Sequence, residues 1–343
     1  MRRPGMRALA EAAGVSVATV DRALNGREAV RAETRAVLAE AAARIGHPAA
    51  GRLGAPQAGD LPVATFGVLL HKQGQEFYQA FAEELHRAVA ETPGVRARLV
   101  LEFSSSQSPA DMAGQMRRMA GRCDVLAATA VNHPEVTAAV EALRTQGLPV
   151  ISLLSDFAQG ARIAYLGLNN LKIGRTAGWI TALSARAPGK VAVFVGGHRW
   201  HGHDLRETGF RAYLREAAPQ LEVLETMVNL ETRQLTYEAA LALLARHADL
   251  RGLYVAGGGM EGAIAALGES GRAGAVSLVV SALTPLSRKA LAEGVVTLVT
   301  DTPLEKLCRA LFARMAQIAR MGAEAPGESQ HFLPPDIHLR ESL

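Results

Sequence analysis

The chain has 343 residues, of which 49% are hydrophobic, 20% charged and 5% aromatic, and its mean hydropathy is +0.09. That length supports roughly two or three folded units, the composition excludes global disorder, and no stretch reaches the ~18 consecutive apolar residues of a membrane span. The net charge of +4 is unevenly placed: residues 1–55 hold nine Arg, no Lys and five acids, while the remainder holds 28 basic and 28 acidic residues. Such asymmetry suits a small nucleic-acid-binding head on an electrically neutral body.

Residues 7–13 (RALAEAA) are strong helix formers, and Gly14-Val15 interrupts them. Ser16 is placed to cap a second helix over 17–24, in which Val20 and Leu24 share a face. Asn25-Gly26 tolerates a left-handed backbone and stops that helix. A third helix is expected over 32–45, with Val37, Leu38, Ala41, Ala42 and Ile45 inward and Gly46 at its end. Helix, glycine turn, short helix and supporting helix form a helix-turn-helix, whose second helix enters the major groove. The expectation is an all-α head at 1–50. HPAAGRLGAPQAGDLP at 47–62 is rich in Pro, Gly and Ala, which makes 51–62 a hinge or linker.

From residue 63 onward, short apolar runs alternate with helical periods. Strands are expected at 66–70, 98–103, 125–130, 150–154, 191–195, 223–228, 252–256, 277–281 and 296–300, with helices between them and a last helix over 303–321. Near-continuous apolar strands separated by amphipathic helices indicate parallel sheets covered on both faces, and about nine such units point to two lobes. Neither a G-x-G-x-x-G after the first strand nor a Walker A string occurs, so phosphate binding is not favoured and no cofactor is expected. His198, His201 and His203 form H-x2-H-x-H, which opens a remote alternative of a zinc-dependent enzyme; no HExxH or G-x-S-x-G accompanies it, and the expectation is a non-enzyme without a metal. Cys123 and Cys308 imply neither a disulfide framework nor a cysteine zinc site. Arg2, Arg3 and Arg7 precede no uninterrupted apolar stretch, so a cytoplasmic location is expected.

The string AGVSVATVDRALNG at 13–26, followed by TRAVLAEAAARIGHP at 34–48, resembles the head of LacI-type transcription regulators. The resemblance implies that Val17 and Ala18 read bases through apolar contact and that Arg22 takes a guanine edge. Ser16, Thr19 and Asn25 then stand where the family holds phosphates. Asp21 departs from the usual small hydroxyl residue, and it either accepts from cytosine, pairs with Arg22 or weakens binding. Arg31 and Gly5 stand where capping Ser and Thr are typical. In the family a leucine of a short hinge helix wedges into the minor groove, and Leu53 is the candidate here. Its closeness to Pro48 and the flanking Gly51 and Gly54 keep a plain flexible linker open as the alternative.

The body is similar to the periplasmic-binding-protein type I fold. This likeness implies an N-lobe of about 63–158 and 284–320 and a C-lobe of about 159–283 and 321–343. Crossovers would fall near 156–161, 282–286 and 320–330, with the ligand between the lobes at the carboxyl ends of the strands. Gln75, Phe77 and Tyr78 follow the first strand, where the family stacks rings on a sugar; the two rings could equally be core residues of the next helix. Asn132, Ser155 and Asp156 match hydroxyl-binding positions. Arg206, preceded by His203 and Asp204, matches the effector-binding Arg, and Asp301 matches a ligand-binding amide or acid. Gly257-Gly258 replaces an Asn-Asp pair and Ala282 replaces an acid. The implied effector is a sugar, sugar acid or polyol, with a nucleoside or amino acid as the alternative. The implied partner is double-stranded DNA carrying a palindromic operator, bound by a homodimer. The terminal DIHLRESL holds no leucine heptad for a tetramerisation helix.

Overall fold

Four short helices form the head in the computed structural model, which describes residues 4–25, 30–54, 61–104, 106–322 and 327–343. Helix α1 (Met6–Ala13) ends at Gly14, whose φ of 67° only glycine adopts freely, and the chain turns at once into α2 (Val17–Asn25). Ser16 caps α2, its Oγ accepting from the Thr19 backbone N–H at 3.1 Å. Helix α3 is Ala32–Arg44, and α4 is Ala50–Gly54. Gly5 and Arg31 stand at the starts of α1 and α3 without a side-chain cap, as the residue types require. Gly26 lies outside the described residues.

Leu9, Val20, Leu38, Ala41, Ala42 and Leu53 form the centre of the head's core. Two expectations change here. Val37 faces solvent, because α3 turns its Leu38–Ala41–Ala42 face to α1 and leaves Val37 on the opposite side. Leu53 is only 2% exposed, so it is not presented as a wedge: it completes the head core. The first residues of the expected linker are helical, and Arg35 fastens them by donating to the carbonyls of Leu53 at 3.1 Å and Arg52 at 2.9 Å. Those two acceptors satisfy an end that glycine alone would leave frayed. Residues 55–60 lie outside the described residues.

Two clusters of contacts divide the chain, residues 1–63 with 94–96 and residues 64–93 with 97–343. The larger contains two sheets. The first runs β12-β5-β4-β3-β1-β2, where β1 is Val63–His71, β2 Arg96–Ser104, β3 Val125–Ala128, β4 Val150–Leu153, β5 Ala164–Leu168 and β12 Gln330–Leu333. The second runs β13-β11-β10-β9-β6-β7, from β6 (Gly189–Val195), β7 (Leu221–Val223), β9 (Leu250–Val255), β10 (Ser277–Ser281), β11 (Leu298–Asp301) and β13 (Asp336–His338); β8 (Met227–Val228) pairs with β6. Central strands such as β3, β4 and β5 are buried throughout, which matches their unbroken apolar sequences. Helices cover both faces. In the first lobe they include α5 (Glu76–Val89), α6 (Pro109–Arg118), α7 (Pro134–Thr145) and α13 (Leu304–Met321); in the second, α8 (Asn170–Ser184), α9 (His201–Ala217), α10 (Arg233–Arg246), α11 (Met260–Glu269) and α12 (Pro285–Ala292).

The nine expected strands are present, with 223–228 split into β7 and β8, but the expected lobe boundaries are each one strand early. The segment AYLGL pairs in parallel with β4 (Ile151↔Ala164), so the first crossover follows β5, not 156–161. β11 pairs with β10 (Val279↔Leu298), which moves the second crossover from 282–286 to residues 302–303. β12 pairs with β5 and β13 antiparallel with β11, which moves the third from 320–330 to Pro334-Pro335. The physical reason is that apolar patterning marks a strand but not the sheet that accepts it.

Leu53→Ala should strip amide-exchange protection from the head helices while the body keeps its own. Loss of a buried leucine costs roughly 2–5 kcal/mol, a large fraction of what so small a core supplies. Unchanged head protection would show that α4 is not structural.

Candidate functional site

The described face of α2 carries the residues read as DNA contacts. Ser16, Val17, Ala18, Arg22 and Asn25 are exposed, and Thr19 is half-buried with its hydroxyl 2.8 Å from that of Ser16. Val17 is 41% exposed, an apolar side chain in solvent at the start of the helix, while Val20 and Ala23 turn into the core. Arg22 Nε leans on the Ala18 carbonyl at 3.4 Å. Among the three alternatives for Asp21, the free head realises another: its carboxylate accepts from Asn25 Nδ2 at 2.6 Å, which orients that amide.

In the body, the carboxyl ends of the parallel strands converge on one cleft. Side chains from both lobes line it, as in the concave, few-per-protein sites that small molecules occupy. Gln75, at the start of α5, and Phe77 and Tyr78, in its first turn, line it, with the two rings in edge contact at 5.2 Å. Ser155, His203, Arg206 and Gly258 line it too. Arg206 reaches inward from the second turn of α9. Its Nε donates to Asn170 Oδ1 at 2.7 Å, and Nη1 donates to the Ala256 carbonyl at 2.7 Å and to Ser281 Oγ at 2.9 Å. Three segments thus fix one guanidinium.

Four other expected residues stand elsewhere. Asn132 is exposed, its N–H bonded to the Arg199 carbonyl, and Thr129 lines the cleft from the end of β3. Asp156 is buried in the segment after β4, where Arg162 grips it with Nε and Nη2 and Ser152 and Gln159 donate to it. That ion pair holds the turn after β4 and leaves Ser155 to face the cleft, where its Oγ accepts from the Gly202 N–H at 3.0 Å. Burial alone would push the Asp156 carboxyl up, but the Arg162 and Ser152 bonds hold it below the usual carboxylate range. Asp204 is exposed in the first turn of α9. Asp301 accepts from its neighbour Thr302 N–H at 2.9 Å, and Thr302 takes the place on the wall.

The unexpected member is Glu231, 8% exposed. Its Oε1 accepts from the Gly258 N–H at 3.2 Å and lies 3.6 Å from His203 Nε2; Lys72 Nζ is 3.8 Å from Oε2. A Cβ at Gly257 would collide with the His203 ring, and one at Gly258 would crowd Glu231. Gly257 and Gly258, which stand where the family resemblance implies an Asn-Asp pair, therefore make room for an acid from another loop. Burial penalises the Glu231 charge, yet the Lys72 ammonium, the Gly258 N–H and, once protonated in acid, His203 and His71 outweigh it, and the carboxyl sits below its ordinary value. His203 Nδ1 accepts from the Gly196 N–H at 3.2 Å, so the imidazole is neutral; burial holds its pKa down to about 4 against the pull of Glu231. His71 is likewise held to about 4 by burial.

First-lobe side chains hold the Glu231 loop from across the cleft. Lys72 Nζ donates to the Leu230 carbonyl at 2.7 Å and Gln75 Nε2 to the Glu231 carbonyl at 3.0 Å. Leu230 and Glu231 both have φ near 50°, a strained left-handed pair that such bonds offset. Trp200, from the second lobe, is buried in the first-lobe core and donates to Gln107 at 3.2 Å. Sequence reasoning missed Glu231, Asn170 and Trp200. Glu231 and Asn170 each follow a strand that was absent or run on in the sequence reading, and Trp200 lay unremarked inside the GGHRWHGHD string. Among the described residues no group of His, Cys, Asp and Glu is arranged to hold a metal ion, and the three histidines of that string do not gather.

A bilobal body with a polar cleft at the strand ends is the architecture of a ligand receptor, and residues 66–323 match the periplasmic binding protein domain. Residues 6–48 match the bacterial regulatory proteins of the lacI family. The chain belongs to the LacI-type transcription regulators, DNA-binding proteins that are regulators and binders and not enzymes. The body fold is shared with a solute-binding protein of an ABC transporter from Agrobacterium vitis bound with alpha-D-tagatopyranose (TM-score 0.73, 17% identity, covering 81% of this chain and 95% of that one). It is shared with one from Actinobacillus succinogenes with bound D-allose (0.72, 17%, 81% and 98%) and with one from Bacillus halodurans with bound myo-inositol (0.70, 18%, 82% and 96%). No curated protein matches the chain. Among the described residues no helix is long and apolar enough to cross a membrane.

The neutral histidines set a pH dependence. In the unfolded chain they protonate near 6.5, whereas folded His71 and His203 stay neutral to about 4. Between those values the unfolded state binds more protons, so stability falls as pH falls, by up to about 1.4 kcal/mol per pH unit for each histidine. Urea midpoints from pH 7.5 to 4.5 should show this, and His203→Asn should flatten the slope. An unaltered slope would mean His203 is not held neutral.

Proposed function

We propose that the chain is a ligand-responsive repressor that binds a palindromic operator as a homodimer in the cytoplasm and is controlled by a sugar, sugar acid or polyol in the interlobe cleft. The observation that carries this reading is the joining, in one chain, of a helix-turn-helix with exposed base-reading positions to a receptor body whose cleft fixes Arg206 among polar groups and rings. Val17, Ala18 and Arg22 read bases; Ser16, Thr19 and Asn25 contact phosphates. Leu53 serves the head core, and the hinge acts as a linker. Two-fold related heads match half-sites about one helical turn apart. The bound sugars and polyol of the three structural neighbours support a polyhydroxylated effector. The effector favours one arrangement of the lobes through Lys72, Gln75 and the Glu231 loop, and that preference sets operator affinity. Switching occupancy from mostly bound to mostly free takes several kcal/mol of differential affinity.

Operator selection followed by effector titration tests the reading. Arg22→Ala should cost roughly 1–3 kcal/mol at one base pair; an equal loss on every sequence would refute base reading. Operator affinity should fall with salt at a slope of about −0.9 per phosphate contacted, and a flat dependence would count against the head. Arg206→Ala should lose the effector response and keep operator binding. An effector that binds the body and never changes operator affinity would sink the coupling.

A further inference from the structure

The buried and half-buried arginines of the body are treated differently. Arg162 is clamped on Asp156 and Arg211 on Glu207, whereas Arg272 spreads both terminal nitrogens over four backbone carbonyls. Arg206 is fixed as firmly, but by an amide oxygen, a backbone carbonyl and a hydroxyl, all neutral. Among the described residues its Nη2 has no partner and no carboxylate answers its charge. Positive charge taken from water into a cleft is costly unless it is paired. The cleft's own buried acid does not supply the pair, because Glu231 is committed to the Lys72 ammonium and the Gly258 N–H. Glu76 and Glu261 stand in the first turns of α5 and α11, Glu76 in solvent and Glu261 half-buried, and neither forms an ion pair with Arg206.

Two other atoms on the wall are unsatisfied. Thr129 Oγ1 and Glu231 Oε2 are buried and have no hydrogen-bond partner among the described residues. Each leaves a desolvated acceptor that a ligand hydroxyl would satisfy. Phe77 and the buried Trp200 supply apolar surface beside them.

We propose that the effector is a polyhydroxylated carboxylic acid of sugar size, its carboxylate seated on Arg206 and its hydroxyls donating to Thr129 and Glu231. This rests on the cleft being the effector site, and it narrows the sugar, sugar acid or polyol of that reading to the acid. The guanidinium fork of Arg206 offers Nη2 to the carboxylate while Nε and Nη1 keep it in place. A neutral sugar would leave the charge unanswered, and an amine would add to it.

The test uses the full-length protein. Hexuronates and hexonates of gluco, galacto and manno configuration are compared, by calorimetry and thermal shift, with their parent hexoses, the methyl esters of the uronates, and D-glucosamine. The expected result is that one acid binds roughly tenfold to a hundredfold more tightly than its own ester, and that Arg206→Gln removes that difference. The ester comparison needs no variant, so it stands even where Arg206→Gln fails to fold. An ester or hexose binding as tightly as its acid overturns the proposal and leaves the cleft as effector site, as does preferential binding of glucosamine. If no compound in the panel binds, both readings fall.

Discussion

Parallel strand pairing is the constraint on which the site depends. Each parallel neighbour in the two sheets runs in one direction, so the carboxyl ends of β1, β3, β4 and β5 meet those of β6, β9, β10 and β11 along the same cleft. Arg206 is fixed because α8, β9 and β10 all deliver an acceptor to that edge. The same register brings Glu231 beside Gly258 and His203. Slipping one crossover by a strand would scatter these side chains over two faces.

The electrostatics of the cleft follow from burial. Neutral imidazoles at His71 and His203 and an ionised Glu231 are each the cheaper protonation state for the partners at hand, given Lys72, the Gly196 N–H and the Gly258 N–H. Asp156 and Arg162 use the opposite arrangement, a closed ion pair that holds the β4 turn rigid and stays out of the cleft. Structural and ligand-facing charges are thus separated within a few residues of one another.

In the head, helix formers, the Gly14 break and the Ser16 cap specify α1 and α2 locally, and all were legible in the sequence. Leu53 was not. Two flanking glycines disfavour helix, and only packing against Leu9, Leu38 and their neighbours, with Arg35 on the α4 carbonyls, makes it helical. Tertiary burial outweighed a propensity cost of about 1 kcal/mol per glycine. In the body, Gln75, Phe77, Tyr78, Ser155 and Gly258 follow apolar runs closely, His203 and Arg206 came only from the family resemblance, and all seven line the cleft. Asn132, Asp156, Asp204 and Asp301 follow such runs too, yet a difference of one to three residues turns a side chain away from the cleft.

By itself the sequence determined the helix-turn-helix, the alternation of strands and helices, and the strand-end loops where ligand groups collect. These depend on local propensity and on periodicities of two and 3.6 residues, which neighbouring residues encode. Only the tertiary structure decided which sheet accepted β5, β11 and β12, where Leu53 is buried, and that Glu231 fills the space left by Gly257 and Gly258. Those outcomes compare distant segments competing for the same edge or cavity, and no local pattern carries that comparison.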